Sequence, residues 1–332
     1  MMLLRWLNKR WYPVDWAIAV YVLVTGIFLL WTFPAIENWA YLVILRVLLL
    51  SGLAGLPPRG SKWERTSPTD KKIFKYIRKC TQFGRYAYPL ALVLPFFQEF
   101  HLTVNALSPE NPYWFEPYLY EADILIFGQV PAIILASIVD PFLTELMHTF
   151  YFSYYLILLV GLLITWLASN QGKKRTNHRG PNVSSVFESA LLGMTLSYLL
   201  TFILYPIFPA RGPWEDPGLM NNLPPLQGIF FTPLVNSILE RGAVSGGCFP
   251  SSHVSGAWGL IFSLTAALPK TRRVLVALAI GMSIACIYTR LHHSVDVWAG
   301  IIIGLLACWI SRHWQGNFSA QQINQDPAID DR

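Results

Sequence analysis

The chain has 332 residues, 54% hydrophobic and only 13% charged, with a mean hydropathy of +0.41, a balance that excludes an ordinary soluble domain and makes the bilayer its solvent. The formal charge of +6 falls in short loops between apolar runs, so it reports topology and excludes a nucleic-acid partner. The four cysteines, Cys80, Cys248, Cys286 and Cys308, show neither paired nor metal-type spacing and imply no disulfide framework and no zinc site.

In chain order, the basic start, Met1 to Arg10, leads into a long apolar segment without a small-residue cleavage pattern, which reads as an uncleaved first span. A span needs about 20 apolar residues. By that ruler the expected spans are 14–36, 39–57, 86–106, 141–168, 184–208, 251–269, 274–290 and 294–312, eight in all. Arg46, inside the second, must snorkel or face the bundle. The apolar stretch 119–137 is broken by Pro131 and carries Glu121 and Asp123, so an interfacial or re-entrant helix is expected there. Trp6, Trp11, Trp16, Tyr86, Tyr88, Tyr113 and Trp114 sit beside the ends of apolar runs, as interfacial aromatic belts do.

Cytoplasmic loops carry the excess of Lys and Arg. The loop 58–85 is strongly basic, 169–183 holds Lys173, Lys174, Arg175 and Arg179, and the turn 270–273 holds Lys270, Arg272 and Arg273. The stretch 107–140 has five acidic residues and no Lys or Arg. An eight-span multi-pass chain with both termini cytoplasmic satisfies all four loops and places 209–250 and 290–293 together on the outer face, periplasmic or luminal. The polar tail, 314–332, is expected to be disordered.

Three polar motifs fall in those outer loops. In Cys248-Phe249-Pro250-Ser251-Ser252-His253 the Pro-Ser pair starts a helix whose free amides and positive dipole end suit an anion, with His253 in the first turn. In Arg290-Leu291-His292-His293-Ser294-Val295-Asp296, His292 and Asp296 are four apart, so on a helix they share a face. The carboxylate can hold one imidazole nitrogen and leave the other as nucleophile or base. Arg290 supplies a fixed cation, and Arg211, in Ala210-Arg211-Gly212-Pro213, is a candidate second one. His293 stands next to His292 as the alternative nucleophile. Glu145 and His148, three apart, share a helix face and either line the cavity or satisfy each other's neighbours between helices.

Taken in this order, Arg, then Ser-Ser-His, then Arg-His-Asp, the motifs resemble the type 2 phosphatidic acid phosphatase (PAP2) superfamily. The resemblance covers about 86–313 and implies an all-α, six-span core related to the vanadium haloperoxidases, with residues 1–85 adding two N-terminal spans. It implies His292 as a nucleophile that becomes phosphohistidine, Asp296 as its orienting partner and His253 as the general acid. Arg211, Arg290, Ser251 and the Ser252 backbone are implied as phosphate-binding groups on a lipid phosphate or diphosphate, without metal or other cofactor. Three features depart from the family pattern: Leu204 stands where a lysine is usual, Gly212 replaces the proline after Arg211, and Arg290 is closer to His292. Ser252 also replaces a glycine, and these changes are similar to the branch containing inositol phosphorylceramide synthases, which implies a phospho-head-group transferase. A reading from a different class is an anion-binding transporter or scaffold without turnover.

Overall fold

In this computed structural model the described residues are 7, 11–32, 36, 39–56, 72–107, 114–172, 183–264 and 269–325. Among them the regular structure is helical, as the apolar runs require, and the one β-type pairing is an isolated bridge between Ala210 and Gly247. The helices are α1 (Pro13–Thr32), α2 (Trp39–Gly55), α3 (Lys72–Leu107), α4 (Glu116–Phe127), α5 (Pro131–Ala136) and α6 (Pro141–Gly172). They continue with α7 (Val183–Leu204), α8 (Pro217–Met220), α9 (Phe231–Gly242), α10 (Ser252–Ser263), α11 (Pro269–Tyr288) and α12 (Ser294–Gln325). Among the described residues, five stretches are long and apolar enough to cross a membrane: Pro13–Trp31, Pro141–Leu167, Val186–Leu204, Thr271–Tyr288 and Ser294–Gln315.

The expected spans differ in four places. Trp39–Gly55 is an apolar helix of 17 residues, just short of the rest. The expected sixth span is a helix of only 12 residues, because Leu264 leaves the helix in an extended conformation. The third begins at Lys72, so the expected boundary at 85 falls inside one continuous helix of 36 residues. Its basic residues are good helix formers, and nothing in Lys72 to Arg85 stops the helix at the edge of the apolar run. For the same reason α12 runs to Gln325, through much of the tail expected to lack structure. Residues 58–71 of the basic loop 58–85, residues 173–182 of the loop 169–183, and residues 326–332 lie outside the described residues.

The stretch 119–137 folds as two short helices, α4 and α5, separated at Gly128, which caps α4 in the left-handed conformation at φ 78°. Pro131 sits in the first turn of α5, where its missing N–H costs nothing.

Helix α10 is the centre of the bundle, buried on nearly all sides and packed against α7 and α12, with α6 and α11 paired outside. Between helices in lipid there is no hydrophobic drive, so close approach and internal hydrogen bonds hold the bundle. Small residues permit that approach: a Cβ at Gly300 would lie 2.8 Å from the Ser251 carbonyl oxygen. Thr201 and Ser255 hydroxyls pair across α7 and α10 at 2.9 Å, and Ser189 and Ser311 across α7 and α12 at 3.1 Å. Arg46 faces the bundle, ion-paired with Glu99 and donating to Thr25 Oγ1 at 3.1 Å.

Candidate active site

Three loops meet at one end of the bundle, and backbone hydrogen bonds join each to the others. Ala210 N donates to Gly246 O at 3.2 Å and Cys248 N to Ala210 O at 3.0 Å. Ser251 N donates to Asp296 O at 3.1 Å, and Trp214 N to Arg290 O at 2.9 Å. The Gly212 backbone lies so close to this last turn that a Cβ would stand 2.5 Å from Leu291 O. A glycine where the family pattern has proline is thus required by contact with the 290–291 backbone. Motifs 35 or more residues apart in sequence therefore share one frame.

Helix α11 ends at Arg290, whose φ of 64° places it in the left-handed region usually given to glycine. Leu291 N and His292 N both donate to Cys286 O at 3.1 Å, closing the helix end and turning His292 back toward α10. Asp296, fully buried in the first turn of α12, accepts from His293 N at 2.8 Å.

The His292 ring is held at both nitrogens. Its Nδ1 lies 3.1 Å from Cys248 O and 3.4 Å from Asp296 Oδ2, while Nε2 lies 3.1 Å from Ser251 Oγ. Two acceptors on the Nδ1 side assign the ring hydrogen there and leave Nε2 as the basic nitrogen facing Ser251. Ser251 is the N-cap of α10, its Oγ accepting from Val254 N, so this hydroxyl is fixed as a donor toward Nε2. His253 stands across from it, ring centroids 6.2 Å apart. Its Nε2 is 3.1 Å from Tyr151 Oη, the Tyr154 ring packs against it at 4.5 Å, and its Nδ1 is buried without a partner among the described residues. One oxygen of Asp296, Oδ1, is likewise buried without a partner among them.

The two arginines are placed differently. Arg290 is 1% exposed; its guanidinium donates to Pro224 O at 2.7 Å and approaches Met220 Sδ at 4.0 Å, and no carboxylate pairs with it among the described residues. Burial pulls it below the ordinary arginine value, as befits a cation short of counter-charge. Arg211 is ion-paired with Glu116 and lies over the Trp114 ring at 4.6 Å. With Glu116, Tyr120, Glu215 and Asp216 it lines a cavity of about 310 Å³. The structure thus brings His292, Asp296, Ser251, Ser252 and His253 together, and gives the two guanidinium groups contacts with Met220, Pro224, Glu116 and Trp114 rather than with either imidazole.

The contacts of Cys248 are not legible in the sequence, because its partners lie more than forty positions away. Its Sγ donates to Asp296 Oδ2 at 2.7 Å and lies 3.3 Å from His292 Nδ1. Burial, with Asp296 beside it, pushes this thiol well above its ordinary range, so it remains a donor. Donor atoms of Cys248, His292 and Asp296 all lie within 4.8 Å of one another, a set that a soft divalent ion would also fit. The sequence also gave no sign that His293 is paired with Asp123: its Nδ1 is 3.3 Å from Asp123 Oδ2, and Asp123 also accepts from the Ser294 hydroxyl. His293 is therefore committed to α4. Glu145 accepts from the amides of Ile229, Phe230, Phe231 and Thr232 at 2.5–3.3 Å, and His148 Nδ1 bonds Thr144 O within its own helix at 2.8 Å, so Glu145 is satisfied across to the start of α9 and His148 Nδ1 within α6.

No solved structure matches the chain. A PA-phosphatase related-family protein of Dictyostelium discoideum is 34% identical over 110 residues, 32% of this chain and 20% of the relative, so the chain spans about a fifth of that protein's length. Residues 154–320, half of the chain and all three motifs, match the family described as the PAP2 superfamily; the chain belongs to that superfamily.

Proposed function

We propose that the chain is a membrane enzyme that hydrolyses a lipid phosphate or diphosphate through a phosphohistidine at His292. The observation that carries the reading is the division of labour between two neighbouring imidazoles, one buried and one half-buried. His292 has its Nδ1 held by Asp296 and Cys248 O and its Nε2 turned toward the α10 N-terminus, whereas His253 has one nitrogen occupied and one buried and unpartnered.

The substrate's phosphoryl oxygens take the amides that open α10 and the unneutralised charge of Arg290, which displaces the Ser251 hydroxyl from Nε2. Nε2 attacks phosphorus, the P–N bond forms, and the P–O bond to the lipid breaks as His253 gives its proton to the leaving oxygen. Asp296 stabilises the positive charge that develops on the His292 ring. Water, losing a proton to His253, then attacks phosphorus; the new P–O bond forms as the P–N bond breaks, its electron pair returns to His292 Nε2 and inorganic phosphate leaves. The outer-face topology expected from the loop charges delivers substrate from the outer leaflet.

The cavity beside Arg211 supports a second reading, transfer to an alcohol. Its carboxylates suit the hydroxyls of a polyol acceptor, and its wall, Gly212, touches the 290–291 backbone.

The test is a panel of phosphatidate, prenyl diphosphate and phosphatidylinositol offered to purified protein in detergent with EDTA, with and without a polyol. Inorganic phosphate release that His292→Ala abolishes supports hydrolysis, and transferred head group supports the second reading. Binding without turnover by the wild type would leave the anion-binding transporter or scaffold. Activity that vanishes with EDTA and returns with a divalent ion would contradict the phosphohistidine route.

A further inference from the structure

Resting on that reading, we infer that Tyr151 is a positioning residue for His253: it occupies Nε2 and thereby makes Nδ1 the nitrogen that carries the transferred proton. Tyr151 comes from α6 and His253 from the first turn of α10, so the contact at 3.1 Å joins two elements that the motifs do not link. Tyr151 is buried and His253 half-buried, and the ring's orientation is fixed further by Tyr154 and Tyr151, whose ring centroids lie 4.5 and 5.3 Å from it.

An imidazole that acts first as acid and then as base needs one nitrogen that gains and loses the proton while the other keeps its hydrogen. A phenolic oxygen suits the second duty because it accepts a hydrogen bond from Nε2–H in both protonation states and does not itself ionise near neutral pH. The accounting agrees. His253 Nδ1 is buried with no protein partner among the described residues, a costly condition that a substrate's leaving oxygen would relieve. Carboxylates hold His292 and His293 through Nδ1, so the choice of a phenol for His253 leaves its ring free of a fixed counter-charge. An acid held by a carboxylate would give up its proton less readily.

The test is Tyr151→Phe, which keeps the ring and removes one oxygen, assayed on a lipid-like alkyl phosphate and on p-nitrophenyl phosphate. A poor leaving group needs the proton and a good one does not. Expected is a fall in kcat of about tenfold or more on the alkyl ester with KM within about threefold, and a change under about threefold on the aryl ester. In a His253→Ala background, Tyr151→Phe should change neither. Equal losses on both esters, or an added loss without His253, would show a merely structural tyrosine and overturn the inference. So would an unaltered kcat in Tyr151→Phe while His253→Ala remains impaired. Those results leave the hydrolase reading standing, whereas a wild type that cleaves neither ester removes that reading first. If Tyr151→Phe does not accumulate, the ¹⁵N resonances of His253 in the wild type decide the point: hydrogen on Nε2 supports it, hydrogen on Nδ1 alone overturns it.

Discussion

On the proposed route the chemistry at His292 depends on which nitrogen bears the hydrogen, and the neighbours on the Nδ1 side, Cys248 O and Asp296 Oδ2, favour Nδ1. Asp296→Asn keeps the shape but presents a donor where an acceptor stood, so it should cost about 10² or more in kcat with KM little changed. Steady-state kinetics on the alkyl ester checks this. Arg290 pays for its left-handed backbone, a conformation worth about 1–3 kcal/mol of strain in a non-glycine residue. Arg290→Gly should therefore leave the melting temperature near wild type or raise it while activity falls about 10² or more; a mutant that retained activity would remove Arg290 from phosphate binding. For His293, burial lowers the pKa, but the Asp123 hydrogen bond and the charges of Asp296 and Asp123 outweigh it, and the net shift is upward. A raised folded value means the pair's stabilisation is complete below the unfolded histidine value of about 6.5 and fades as pH rises through the folded one. Thermal melts should show that alkaline loss in the wild type and a flatter profile in His293→Asn.

At the level of elements, the tightest link outside the three motifs is Glu145 of α6 on the N-terminus of α9. Its carboxylate accepts from four successive amides and from Thr232 Oγ1 at 3.0 Å, satisfying donors that the first turn of a helix cannot pair internally. Glu145→Ala should cost about 1–2 kcal/mol and speed hydrogen exchange at 229–232 before any other segment. The Arg46–Glu99 pair fastens α2 to α3 in the same manner, at depth in an apolar bundle. Removing Arg46 alone should destabilise by about 3–5 kcal/mol, and replacing both residues with apolar ones of similar volume should restore most of that. Detergent melts of the single and double mutants measure the difference.

For the molecule as a whole, apolar run length identified the helices α1, α6, α7, α11 and α12, because in lipid a backbone without water must close its hydrogen bonds within a helix. It misjudged helix ends at Lys72 and Gln325, where polar residues of good helix propensity carry a helix past the apolar region, and at Ser263, where an apolar run continues after the helix stops. The candidate site was legible where chemistry is local: His292 with Asp296 four residues on, and His253 in a capped first turn. What stayed hidden were partners supplied by tertiary approach, namely Cys248 on Asp296, Asp123 on His293, Glu116 on Arg211 and Tyr151 on His253. No spacing announces these. The proposed route turns on a covalent bond between phosphorus and the His292 imidazole. The most direct measurement is to quench the enzyme during turnover of ³²P-labelled phosphatidate, digest it under alkaline conditions and map the label. The account predicts acid-labile phosphate on the peptide containing His292, at Nε2, and none in His292→Ala. Label on His293, on His253 or on a non-histidine residue, or full turnover by His292→Ala, would contradict it.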